Sequence, residues 1–144
     1  MSRAPLEDLV RITAAARRVE EARMQRLVEE ETALRAELDD LDAARRANQA
    51  LGETDLAASR SVGADMLWQG WVARSRRQLQ IRLARVLARK GDALRDLRKA
   101  YGRGDAAQSL LDEAGKEEAD ARTKGRIEQE QSLMILRAGR ADGP

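Results

Sequence analysis

Two tryptophans, Trp68 and Trp71, are followed by Arg74, Arg76, Arg77, Arg82, Arg85, Arg89 and Lys90. Indoles three residues apart share one face of a helix, and such a patch beside a guanidinium run is suited to plugging a helical pair or docking another protein. It is not bond-making chemistry. The chain holds 0 His and 0 Cys, which removes imidazole proton transfer, thiol and triad nucleophiles, disulfides and every Cys/His metal site. Adjacent carboxylates such as Glu29 and Glu30 point in different directions on a helix and enclose no substrate. Gly102, Gly104 and Ala107 spell a dinucleotide fingerprint, but that turn needs a buried strand before it and a charged helical pattern stands there instead. Arg103, Gly104 and Asp105 spell an adhesion tripeptide in a chain that gives no sign of export, and read better as a helix break. No catalytic residue, cofactor, metal or small-molecule substrate is expected.

The elements that carry these residues follow from composition. Of 144 residues 36% are charged and 2% aromatic, so the side chains that fill a thick globular core are scarce, while Ala, Leu, Arg and Glu favour helix. The longest strongly apolar run, Leu133 to Leu136, is far too short for a membrane span or a signal-peptide core, and a cytoplasmic protein is expected. Charge falls in three blocks: residues 1–62 carry 10 basic and 13 acidic side chains, 63–104 carry 11 and 3, and 105–144 carry 6 and 9. Complementary blocks on one chain predict that it folds back on itself. Nucleic acid is disfavoured as a partner, because no stacking aromatics interleave the arginines and the acidic blocks repel phosphate.

The spacing predicts an all-α, two-helix antiparallel coiled-coil hairpin forming one elongated domain. The first helix is expected over 5–51, capped by Ser2 or Ala4, with Pro5 in its first turn and no Gly or Pro until Gly52. Leu9, Ile12, Ala16 and Val19 recur at threes and fours, then Leu27, Leu34, Leu38 and Leu41 in a shifted frame, which predicts a stutter near Arg23 and Met24. Gly52, Thr54, Asp55, Ser59, Ser61 and Gly63 predict a turn over 52–63. A second helix is expected over 64–138, its seam running through Trp68, Val72, Leu79, Leu83, Leu87, Leu94, Leu97 and Tyr101. A break is expected, if anywhere, at 102–104, with a stop at Gly139 and a tail over 139–144.

Centring the turn near Leu56 to Ser59 places residue i opposite about 116 minus i. Leu38 then meets Leu79, Leu34 meets Leu83, Glu31 meets Arg85, and Asp39 to Asp42 lie beside Arg74 to Arg77. Beyond Tyr101 the apolar positions thin out, and Glu117, Glu118, Arg122, Arg126 and Ile127 mark a polar helical surface that needs a partner. With Trp68, Trp71, Arg74, Arg76 and Arg77 they are the candidate partner-binding residues.

This layout resembles the FliJ/YscO family of small coiled-coil proteins in flagellar and type III secretion export. The features that carry the resemblance are the chain length, an uninterrupted first helix, a short polar turn, Trp68 and Trp71 opening the second helix, the Arg/Gln stretch from Arg74 to Arg82, and the polar C-terminal run Arg126 to Gln131. The resemblance implies a non-catalytic stalk and adaptor that inserts into the export ATPase hexamer, touches an export-gate protein and binds export chaperones. It implies a cytoplasmic protein held at the inner face of the membrane through that apparatus. A generic coiled-coil scaffold or dimerisation protein is the alternative. Gly102, Gly104, Gly115 and Gly125 depart from the helix-rich family pattern.

Overall fold

The computed structural model describes the backbone of residues 3–52 and 58–143 and the side chains of 3–51 and 63–143. It contains two helices, α1 (Arg3–Gly52) and α2 (Ala58–Ala141), packed against each other as an antiparallel hairpin. Of the expected turn over 52–63, residues 53–57 lie outside the described residues, and α2 already runs from Ala58, so Ser59, Ser61 and Gly63 are helical rather than loop. Ala4 is inside α1, not its cap. At the other end α2 passes through Gly139 and stops at Ala141.

The glycines at 102 and 104 do not break α2, and no described glycine has a positive φ. Each costs about 1 kcal/mol relative to Ala in a helix. Ala100 and Ala107, buried on either side of the pair, hold this stretch against α1 and offset that cost.

The chain divides into two compact units, Arg18–Lys99, and Met1–Arg17 with Ala100–Pro144. In the unit Arg18–Lys99 the inward positions of α1 are Glu20, Met24, Leu27, Glu31, Leu34, Leu38, Leu41 and Asn48, spaced alternately by four and three except at the last, which follows by seven. Those of α2 are Val72, Arg76, Leu79, Leu83, Val86, Lys90, Ala93 and Leu97. Ion pairs cross between the helices at Arg23–Asp96 (2.8 Å), Glu30–Arg89 (3.1 Å), Glu31–Lys90 (2.7 Å) and Asp42–Arg76 (3.2 Å). The Asn48 side-chain amide also donates to Asp65 at 2.9 Å. The ion pairs place residue i opposite about 120 minus i.

That register differs by one helical turn from the one the leucines predict. Glu31 meets Lys90 instead of Arg85, and Leu34 comes level with Val86 rather than Leu83. A heptad seam repeats itself closely enough to accept either alignment. Only the observed one closes Glu30–Arg89 and Glu31–Lys90 together. Of the expected meeting between Asp39–Asp42 and Arg74–Arg77, the pair that forms is Asp42 with Arg76.

In the second unit Leu6, Val10, Thr13, Ala14 and Arg17 of α1 turn toward Ala100, Gly104, Ala107, Leu111 and Ala114 of α2. Arg3 approaches Glu118 at 3.9 Å, and the Arg17 guanidinium lies 5.1 Å from the centre of the Tyr101 ring. From Ala119 to Gly143 every residue is exposed.

Two expected features of the seam are corrected. Within the unit Arg18–Lys99 the seam of α1 runs through Met24 without a stutter and leaves Val19 66% exposed; in the other unit Ile12 is 66% exposed and Leu9 is also on the surface. Thr13 and Arg17 in the one unit, and Glu20 in the other, turn inward instead. A two-stranded seam is open along its edges, so the stem of a long polar side chain can pack into it; the Glu20 carboxylate lies 3.6 Å from the Arg23 guanidinium. The Thr13 hydroxyl is satisfied internally, donating to the Leu9 and Val10 carbonyls at 3.0 Å. On α2 the seam passes through Val86, Ala93 and Ala100, one residue before the expected Leu87, Leu94 and Tyr101, which are exposed. Val72, Leu79, Val86, Ala93, Ala100 and Ala107 fall on strict sevens; the larger residues one position later do not face α1.

Candidate functional site

The tryptophans lie on α2 within the unit Arg18–Lys99. Trp68 is half-buried and Trp71 is 53% exposed. Both line an open groove of about 520 Å³ between the two helices. Its floor is Leu41 and Ala44 from α1 with Leu79 from α2; one wall carries Glu37 and Asp40, the other Ser75, Gln78 and Arg82. Trp68 also borders a smaller groove of about 210 Å³ with Arg45, Gln49, Val72 and Arg76. One indole is thus wedged between the helices, and the other offers its ring to whatever enters.

The arginines expected beside the tryptophans have separate fates. Arg76 is tied to Asp42, whereas Arg74 and Arg77 are exposed on α2. The residues that complete the groove, Glu37, Asp40, Ala44 and Arg82, were not among the sequence candidates. Their signal was available, but it required the correct register, because Glu37 and Arg82 come level only when residue i faces about 120 minus i.

Where charge does meet across this unit, it changes titration. The Lys90 ammonium, with Arg35 second, holds the Glu31 carboxyl below its ordinary value, and the Asp96 carboxylate raises Arg23. Both partners of the Glu31–Lys90 pair sit at seam positions, so this is an ion pair set into the apolar layer itself.

The C-terminal candidates lie in the other unit. Glu118 is half-buried beside Arg3; Glu117, Arg122, Arg126 and Ile127 are exposed along α2. Leu133, Met134, Ile135 and Leu136, not among the sequence candidates, are between 55% and 72% exposed. Four consecutive apolar residues cover the whole circumference of a helix, and that run was the signal. Among the described residues no cluster of three or more His, Cys, Asp or Glu could hold a metal ion, and no helix is long and apolar enough to cross a membrane.

The chain matches no protein-family model, and neither the curated proteins nor the solved structures give a match.

Proposed function

We propose that this protein is a non-catalytic stalk and adaptor of a flagellar or type III protein-export apparatus. It binds the export ATPase hexamer through the C-terminal stretch of α2 and contacts an export-gate protein or export chaperones elsewhere on the hairpin. In this reading it works in the cytoplasm, peripheral to the inner face of the membrane. The observation that carries the reading is the stretch Ala119 to Gly143: helical through Ala141, yet exposed at every residue. A helix that packs on nothing lacks the tertiary burial that supplies most helical stability, and its mixed charges at Arg122, Lys124, Arg126, Glu128 and Glu130 suit a contact that forms and breaks.

The test is a truncation after Glu118, assayed for helicity, thermal midpoint, and binding to and stimulation of an export-type ATPase. The hairpin is expected to keep its midpoint because every described residue that is removed is exposed, while stimulation is lost. Undiminished stimulation by the truncated protein, or no binding by the full chain, refutes the reading.

A second reading, a coiled-coil scaffold that self-associates, is favoured by exposed Leu9 and Ile12 on α1. It requires a four-helix assembly in sedimentation at micromolar concentration, where the stalk reading requires a monomer.

A further inference from the structure

The groove beside Trp71 has a charge arrangement that identifies what it can hold. We infer that it is a docking site for a single amphipathic α-helix of a partner protein, with basic residues along the flank that faces α1 and acidic residues along the flank that faces α2. The inference stands apart from the export reading and does not depend on it.

Three observations carry it. First, Glu37 lies seven residues beyond Glu30 on α1, and Arg82 seven before Arg89 on α2, so the two pairs hold equivalent positions in the hairpin. Glu30 and Arg89 close at 3.1 Å, yet Glu37 and Arg82 form no ion pair across the groove. Asp42, which does not line the groove, takes Arg76, so neither of these charges reaches the carboxylates and the guanidinium that line it. Secondly, Glu37, Asp40 and Arg82 have no partner among the described residues, which leaves two carboxylates on the α1 wall and one guanidinium, beside Ser75 and Gln78, on the α2 wall. Thirdly, the floor between those walls is apolar, and Ala44 is small enough to leave room beside the exposed ring of Trp71.

A trough between two helices with an apolar floor accepts the ridge of a third, read as anchors at i, i+3, i+4 and i+7. The walls then select the flanks of that helix by sign. A second copy of the chain fits less well, although its own α1 and α2 carry the complementary signs. A two-fold axis along the hairpin sets groove against groove and leaves both floors unfilled.

Trp68 and Trp71 are the only 2 tryptophans in the chain, and both line this groove, so emission excited selectively at tryptophan reports on it. The probe is a helical peptide of about 18 residues with a leucine ridge, Lys along one flank and Glu along the other. The control has the same ridge and composition with Lys and Glu alternating on both flanks. The segregated peptide is expected to produce a saturable blue shift at a concentration at least about tenfold lower than the control. In the double variant Glu37→Arg with Asp40→Arg, checked for unchanged helicity, both walls are basic and the preference should disappear. Equal affinity of the two peptides, binding by neither, or a preference that survives in the double variant overturns the inference. So does a blue-shifted dimer in sedimentation without peptide, which would assign the groove to a second copy.

Discussion

Val86 and Leu87 are neighbours in α2, and the structure reverses the order of importance that their sizes imply. Val86 is fully buried at 0% exposure, whereas Leu87 retains 41%. Glutamine at each position keeps the helix propensity reasonable and adds no charge, so the comparison isolates burial. At 86, losing two buried carbon groups at about 0.8 kcal/mol each and placing an amide where it has no water costs about 2–4 kcal/mol in total. The lower part of that range applies if the amide reaches the open edge of the seam. At 87 just over half of a leucine's surface is lost from contact and the amide stays wet, which costs about 1 kcal/mol. The assay is urea unfolding followed by far-UV circular dichroism, with the change read from the midpoint at constant slope. If Leu87→Gln costs as much as Val86→Gln, α2 presents the other face to α1, and the seam described here is wrong.

Other consequences are equally direct. Glu31 has a lowered folded-state pKa, so its contribution to stability is present above its ordinary value of 4.5 and is lost as pH falls through the lower folded value. Glu31→Gln should therefore flatten the acid side of the stability–pH curve below about pH 4.5, and an unchanged curve would contradict the pairing with Lys90. A Cβ added at Gly102 or Gly104 meets nothing within 4 Å. Alanine at either site should raise stability by about 0.5–1 kcal/mol, and a loss in thermal melting would show that the helix is interrupted there. A double-mutant cycle on Glu30 and Arg89, both roughly half exposed, should give a coupling of about 0.2–1 kcal/mol that shrinks with salt, while Glu31 with Arg85 should give none. The reverse result would restore the alignment expected from the leucines.

The helical class and the hairpin are legible in the sequence because they depend on sums: many helix formers, long runs without Pro, and charge blocks of opposite sign. Frame and register depend on single residues, and there apolar character misleads. Leu9, Ile12 and Val19 are more apolar than Thr13, Arg17 and Glu20, yet within their own units the second set faces inward and the first is exposed. Likewise Leu87, Leu94 and Tyr101 are larger than Val86, Ala93 and Ala100. The small residues fall on the sevens that keep α2 against α1, and their size permits close approach of the two backbones. The candidate site is half legible for the same reason: the tryptophans identify themselves, whereas the residues facing them belong to another helix and depend on the register.

Register in turn determines which charges remain available to a partner. If residue i faced about 116 minus i, Asp40 would lie level with Arg76, and the acidic wall would neutralise itself against the basic helix. In the observed alignment Arg76 goes to Asp42, Lys90 to Glu31 and Arg89 to Glu30, which leaves Glu37, Asp40 and Arg82 around the tryptophans without ion-pair partners among the described residues. An ion pair within the seam contributes little net stability over leucine, but it fits one alignment only, whereas leucines tolerate a slip of one turn. The Glu31–Lys90 pair therefore does more than hold two helices together. By selecting the alignment, it decides which outer side chains are consumed within the hairpin and which are left to face a groove.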